Sequence, residues 1–361
     1  MPPPSIISVK TMSSIYAAAD LISFATALFN AAGLSGDRAR TVGTLLVEAD
    51  LLGHNTHGLQ LAGTYLDAAT KGTMSVTGDP DVLADRGAVV TWDGRRLPGV
   101  WLTAAALDLG IERAKTYGSA TVVVRRSHHI ACLAAYLQKA TEQGCMAIIA
   151  SSDPSEHSVA PFGGRRSLFT PDPIAIGIPT DADPILVDIS ASITTNGMTA
   201  RLKKAGERFP GRWVMDADGN PSDDPSVVLA DPPGTILPIG GIEYGHKGYG
   251  LALMIEALTQ GLGGYGRADG ETGWGASFFV QVFDPEAFGG QKAFTRQTSW
   301  IAEACRTTPP RPGGDPVRLP GERALQRKRQ ALDQGLELHA GIMEELTSWA
   351  DKLGIAPPCP I

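Results

Sequence analysis

Residues Thr121-Val122-Val123-Val124 form an unbroken β-branched run. Such side chains are stiff at χ1 and favour extended backbone. The run has no polar alternation, hence no solvent face, and therefore predicts a strand buried on both sides of a sheet. Helical periodicity flanks it at Trp101 to Tyr117 and at Cys132 to Gln143, and a second strand follows at Met146 to Ala150. Residues 121–150 thus read as a βαβ-like unit, with His128 and His129 at its first strand-to-helix turn. Ala88 to Trp92 is strand-like and ends in the turn signal Asp93-Gly94. Further strands are expected at Ile174 to Ile178, Ile185 to Ile189 and Phe278 to Phe283. Strands interleaved with helices give an α/β (mixed α+β) class with a mixed sheet.

The two ends of the chain are helical. A helix is expected from Ile15 to Ala32, stopped by Gly33, and a second from the Ser35/Asp37 cap to Leu52, stopped by Gly53. The polar turn His54 to Gly58 leads to a third, Leu59 to Thr70. Glu322 to Leu353 reads as one long amphipathic helix after a linker at Pro309 to Pro320. Gly250 to Leu262 is a strongly apolar helix, Trp213 to Asp224 a surface loop, and residues 1–12 a loose arm with an extended run at Ile6 to Val9. The expected division is a helical lobe of residues 13–75 plus 320–361 and a mixed-sheet domain of residues 76–319.

A net charge of −7 with no clustering of Lys and Arg leaves no footprint for nucleic acid. Apolar residues are 43% of the 361, enough for a large core. The four cysteines lack CxxC spacing, so neither a disulfide framework nor a zinc knuckle is expected. Met1 to Lys10 has no apolar signal region, and no apolar run reaches the length of a membrane span. A cytoplasmic protein with reduced thiols and no membrane partner is the expectation.

The glycine fingerprint of dinucleotide-binding folds occurs once, at Gly261-Leu262-Gly263-Gly264-Tyr265-Gly266. It follows a helix and runs into a loop, whereas a phosphate cradle needs strand, tight turn and helix start in that order. These glycines read as a helix end. Phosphate-loop, zinc-protease and nucleophile-elbow motifs are also missing.

Five of the seven histidines fall in three turn clusters: His54 to Gly58, Arg126-Ser127-His128-His129, and Tyr244 to Gly250. Imidazole titrates near neutrality, so a turn-borne histidine suits proton transfer to a carbonyl oxygen. It serves equally well as a solvated cap, and His57 and His129 stay open between the two. Lys247, flanked by glycines at a helix start, combines a cation with free backbone N–H groups and suits a phosphate or ribose, or else lies in solvent. His54 and His57 offer half a metal site. No acid or thiol within sequence reach completes it, and only a shared sheet would bring one in, so no metal is expected.

The order of these clusters resembles the malate/L-lactate dehydrogenase family, from about Leu45 to Arg323. The resemblance rests on Glu48-Ala49-Asp50 with Thr56-His57-Gly58, Ser127-His128-His129, Ser152-Asp153-Pro154, Ala160 to Gly164, Pro173 to Ile176, Val187-Asp188-Ile189-Ser190, Trp213 to Gly219, Gly245 to Gly250 and Pro320 to Arg323. It implies a non-Rossmann mixed-sheet NAD(P)-binding domain with a helical lobe over it, in a homodimer. It also implies hydride exchange between NAD or NADP and a 2-hydroxy/2-oxo acid, a related carbonyl compound or a cyclic imine. By motif match His129 takes the acid/base position and His57 that of a second proton donor. Thr56 and Tyr65 fall on the substrate side. Ser152, Asp188, Ile189, Ser190, His246, Lys247, Gly248, Gly321 and Glu322 match cofactor positions.

The chain departs from the family where a carboxylate-clamping Arg is usual: Leu61 stands there. A bidentate Arg–carboxylate pair is hard to replace. The expectation is a less acidic or bulkier substrate, or a charge supplied by Arg125 or Arg126. Thr170-Pro171-Asp172-Pro173 and Ile130-Ala131 also replace family patterns, both near the expected nicotinamide. Two other readings stand beside the dehydrogenase: a metal-dependent hydrolase or lyase on His54, His57 and His129, and a relative that binds the nucleotide without turnover.

Overall fold

The computed structural model describes residues 14–361, and the expected arm at 1–12 falls outside them. Seven strands form the central sheet: β1 (Asp81–Asp85), β2 (Val89–Asp93), β3 (Ser119–Ser127), β4 (Met146–Ser152), β5 (Pro173–Ile178), β6 (Ile185–Ser190) and β7 (Ala276–Phe283). Their order is β1-β2-β3-β7-β4-β5-β6. The β-branched run lies inside β3, where alternation sends Val122 and Val124 to one core and Val123 to the other. Both faces of the sheet are therefore buried at β3, which is why its three consecutive valines have no polar residue between them.

The helices are α1 (Ala18–Ala31), α2 (Gly36–Leu51), α3 (Ala62–Lys71), α4 (Gly99–Tyr117), α5 (Ala134–Thr141), α6 (Asn196–Ala205), α7 (His246–Glu256), α8 (Gln291–Thr307), α9 (Glu322–Gln334) and α10 (Ile342–Leu353). α4 packs on β3 and β7, and α5 on β5. α7 and the π turn Ala257–Gly261 that extends it pack against β4 from the other side. A three-stranded sheet, Val214–Met215 between Thr235–Ile236 and Pro221–Ser222, joins that second core. The glycine string at 261–266 is a helix end: Gly264 takes a left-handed φ of 63° and the chain leaves the helix.

Three expectations are corrected. The parallel crossover is β2-α4-β3, whose strands pair directly. β3 and β4 do not pair, because β7 lies between them, antiparallel to both. The C-terminal helix is two helices. Gly335 and Gly341, with φ of 90° and 93°, break it, and Leu336–Glu337 pairs with Ile15–Tyr16. The third helix begins with a 3-10 turn at Leu59–Leu61. Helices from the two ends of the chain meet: α1 contacts α2, α3 and α10, and α9 contacts α2.

Candidate active site

A cavity of about 750 Å³ opens at one end of the sheet. β3, β4 and β6 finish near it and β5 and β7 start near it, so the strand ends of β4, β5 and β6 and the loops beside β3 and β7 line the same place. The turn between α2 and α3 and the start of α6 face it from the opposite side. Of the residues singled out from sequence, Thr56, His57, Leu61, His129, Ser152, Asp188, Ile189 and Ser190 line the wall.

His129 follows the end of β3. The Tyr65 hydroxyl lies 2.7 Å from His129 Nδ1 and 3.3 Å from the His129 carbonyl oxygen. The indole of Trp274 stacks on the imidazole at 4.5 Å between centroids. Trp274 is itself placed by the chain around it. Arg96 donates to the carbonyls of Thr272, Gly273 and Trp274 and pairs with Glu271. Asp153 accepts from the Gly275 N–H at 2.9 Å. His57 stacks on His129 at 6.0 Å, and its Nδ1 meets Thr56 Oγ1 at 2.9 Å. His128 is buried behind the site, edge-on to Tyr65 and Trp274.

Asp50 holds the His57 turn from below. Its Oδ2 accepts from the Leu59 N–H at 2.7 Å, and Gly58 leaves the only space for that carboxylate: a Cβ there would sit 2.4 Å from it. Arg201 of α6 fixes the turn from above, donating to Asn55 Oδ1 at 2.8 Å and Gln60 Oε1 at 2.9 Å.

Burial dominates the titration of these groups. It pulls His129 well below the ordinary imidazole range, with His57 and His128 adding to the effect. His57 falls to about 4, through burial and then the fields of His54 and Arg201. His128 falls to about 4 for the same first reason, with Arg96 second. Burial raises Asp50 to about 7 against the opposing Leu59 N–H and Arg201. At neutral pH the two facing imidazoles are uncharged, which suits a proton acceptor.

Leu61 presents an apolar face where a clamp is expected, and among the described residues no Arg or Lys lines the cavity. Arg125 and Arg126 do not supply the missing charge: both bond to Asp93, at 3.0 and 2.9 Å, and neither lines the wall. Arg201 bonds directly to the His57 turn, and sequence reasoning passed over it, as it did over Trp274. Neither stands in a recognisable motif. Tyr65 is buried behind His129 rather than on the wall.

His246, Lys247, Gly248, Gly321 and Glu322 are not on the wall. His246 and Lys247 open α7 and are exposed, while the backbone of Gly248 packs against Ala191 and Ile239. Gly321 lies against Leu186, and the Glu322 carboxylate is engaged by Arg306 and the Leu319 N–H.

The cavity fits a dinucleotide in size, and Ile189, 45% exposed at the end of β6, offers a flat apolar surface beside Ser190 and Ser152. The chain matches the family model described as malate/L-lactate dehydrogenase over residues 16–347. It is 30% identical over 342 residues to hydroxycarboxylate dehydrogenase B of Escherichia coli K12, covering 93% of each chain. It is 30% identical over 355 residues to a (2R)-3-sulfolactate dehydrogenase (NADP(+)) of Chromohalobacter salexigens, covering 94% of this chain and 99% of the relative. The structure of malate dehydrogenase from Entamoeba histolytica superposes with a TM-score of 0.90 at 25% identity, covering 96% of this chain and all 100% of that one. A non-Rossmann mixed sheet, a cavity at its end and these matches across nearly the whole length lead to one conclusion: the chain belongs to the malate/L-lactate dehydrogenase family of NAD(P)-dependent oxidoreductases.

Proposed function

We propose that His129 is the acid/base of hydride exchange between NAD(P) and a 2-hydroxy/2-oxo compound of low charge or a cyclic imine. The observation that carries this is the wall itself: an imidazole backed by Tyr65 and Trp274, sharing the lining with an apolar Leu61 and, among the described residues, with no guanidinium or ammonium. The Tyr65 hydroxyl and the Ala131 N–H both address Nδ1, at 2.7 and 3.3 Å, which leaves Nε2 for the substrate. The ring takes the hydroxyl proton on that side as hydride leaves the carbon. The reverse reaction returns that proton to the carbonyl oxygen or imine nitrogen. His57, oriented by Thr56, lies alongside as a second proton carrier. The cofactor, when bound, supplies or accepts the hydride.

In the same reading Ser152, Asp188, Ile189 and Ser190 receive the cofactor. His246, Lys247, Gly248, Gly321 and Glu322 approach its outer end. Residues 13–75 with 320–361 cap the sheet domain of 76–319. A homodimer in the cytoplasm completes the proposal. The apolar residues Ile242, Tyr244, Leu253, Met254 and Leu262, exposed in and around α7, support a second copy as the cover.

The test follows NADH or NADPH absorbance over a panel of 2-oxo acids, 2-oxo amides and cyclic ketimines. Turnover of the amides or ketimines above the simple acids is expected, with Leu61→Arg shifting preference toward the acids. A wild-type preference for dicarboxylic 2-oxo acids, unaltered by Leu61→Arg, would overturn the substrate assignment.

A further inference from the structure

Three elements remote in sequence bring His54, Cys132 and Asp188 together, with one donor atom of each within 4.8 Å of the others. His54 follows the left-handed Gly53 at the end of α2, and its N–H is anchored on the Ala49 carbonyl at 2.8 Å. Cys132 follows Ala131, whose φ of 57° turns the chain out of β3 and toward α5. Asp188 lies in β6 and is oriented by the Ala134 N–H, which donates to Oδ2 at 2.9 Å. Among the described residues no other trio of His, Cys, Asp or Glu converges in this way.

From this convergence we propose that the trio is a transition-metal site of zinc class. Imidazole, thiolate and carboxylate are the ligand types that zinc accepts, whereas calcium and magnesium prefer oxygen alone. Bonds of about 2.0–2.3 Å to a tetrahedral ion set its donors roughly 3.3–3.8 Å apart. Cys132 Sγ and Asp188 Oδ2 are already at 3.8 Å. The Ala134 N–H acts as the outer partner that fixes the carboxylate. All three residues line the cavity, so a fourth position faces the space where water or a small ligand enters. Binding replaces the thiol proton with the dication and releases that proton to solvent. The proposal is independent of the role of His129, since no step of the hydride reaction enters it.

Cobalt(II) tests it directly. Protein stripped with a chelator should take up one equivalent of Co(II) and show a thiolate-to-cobalt charge-transfer band in the near ultraviolet, which one equivalent of Zn(II) then removes. Cys132→Ser should abolish the band while leaving the circular dichroism spectrum unchanged. The double variant Cys305→Ser/Cys359→Ser should keep it. His54→Gln and Asp188→Asn should weaken cobalt binding by about tenfold or more. A wild-type protein without the band, or a band that survives in Cys132→Ser, overturns the site. Should Cys132→Ser fail to fold, retention of full cobalt affinity in both other variants overturns it equally.

Discussion

The Tyr65 hydroxyl sits 2.7 Å from His129 Nδ1 in a setting with no carboxylate on the imidazole. A neutral partner orients the ring without adding the charge that would raise its basicity. Tyr65→Phe should therefore lower kcat by roughly tenfold or more, with little change in KM. It should also move the pH dependence of kcat, because Nδ1 loses its shortest hydrogen bond. A variant that changes only thermal stability, with kcat and pH profile intact, would reduce Tyr65 to a packing residue. Leu61 works at the same scale in the opposite sense: it withholds a charge, so the fixed cations near the site act from Arg201 through the turn rather than on the substrate.

At the scale of elements, the His54–Gly58 turn is held between Asp50 below and Arg201 above. Gly58 is the position that lets the buried carboxylate reach the Leu59 N–H. Gly58→Ala would set a methyl 2.4 Å from all three carboxyl atoms of Asp50, so the turn or the carboxylate must move. Thermal unfolding should show a loss of about 1–3 kcal/mol, together with reduced turnover as His57 shifts. Gly36→Ala in α2 has nothing within 4 Å of its added methyl and should be neutral or slightly stabilising. Equal behaviour of the two variants would contradict this account of the turn.

At the scale of the molecule, buried acids and buried histidines oppose one another. Burial raises Asp172 to about 7, with Glu256 second, while it holds His57 and His128 near 4. The depressed histidines give stability that is full above their unfolded value of 6.5 and is lost as pH falls toward 4. Asp172 has the opposite sign: its contribution is full below its unfolded value of 3.8 and is lost as pH rises through 7. Asp172→Asn removes the second dependence alone. Compared with wild type, the variant should gain stability as pH rises from about 4 to 7 and level off above, by up to a few kcal/mol in all. A stability difference that is flat with pH would show that Asp172 does not titrate in this window.

The same scale shows what the sequence made legible. The buried strand at Thr121–Val124, the helical ends and the histidine turns announce themselves through composition and period. Collinear motifs placed eight of the candidate residues on one cavity wall. The position of β7 between β3 and β4 was not legible, because strand order depends on pairing between residues far apart in the chain. Trp274 and Arg201 were missed for a related reason: each is an ordinary residue locally and gains its role from a loop or helix brought in from elsewhere. Cys132 and Asp188 joined His54 only once the sheet had formed. Gly335 falls inside the amphipathic pattern of Glu322 to Leu353, and its positive φ of 90° ends the helix there.

The central claim is that His129 moves the proton while the nicotinamide exchanges hydride. Single-turnover oxidation of bound NADH or NADPH, with the best substrate of the panel, compares wild type with His129→Asn most directly. Unchanged cofactor affinity with a hydride-transfer rate reduced by about 10²–10⁴ is the predicted result. Hydride transfer at the wild-type rate in His129→Asn would contradict the account and return the proton to His57 or to water.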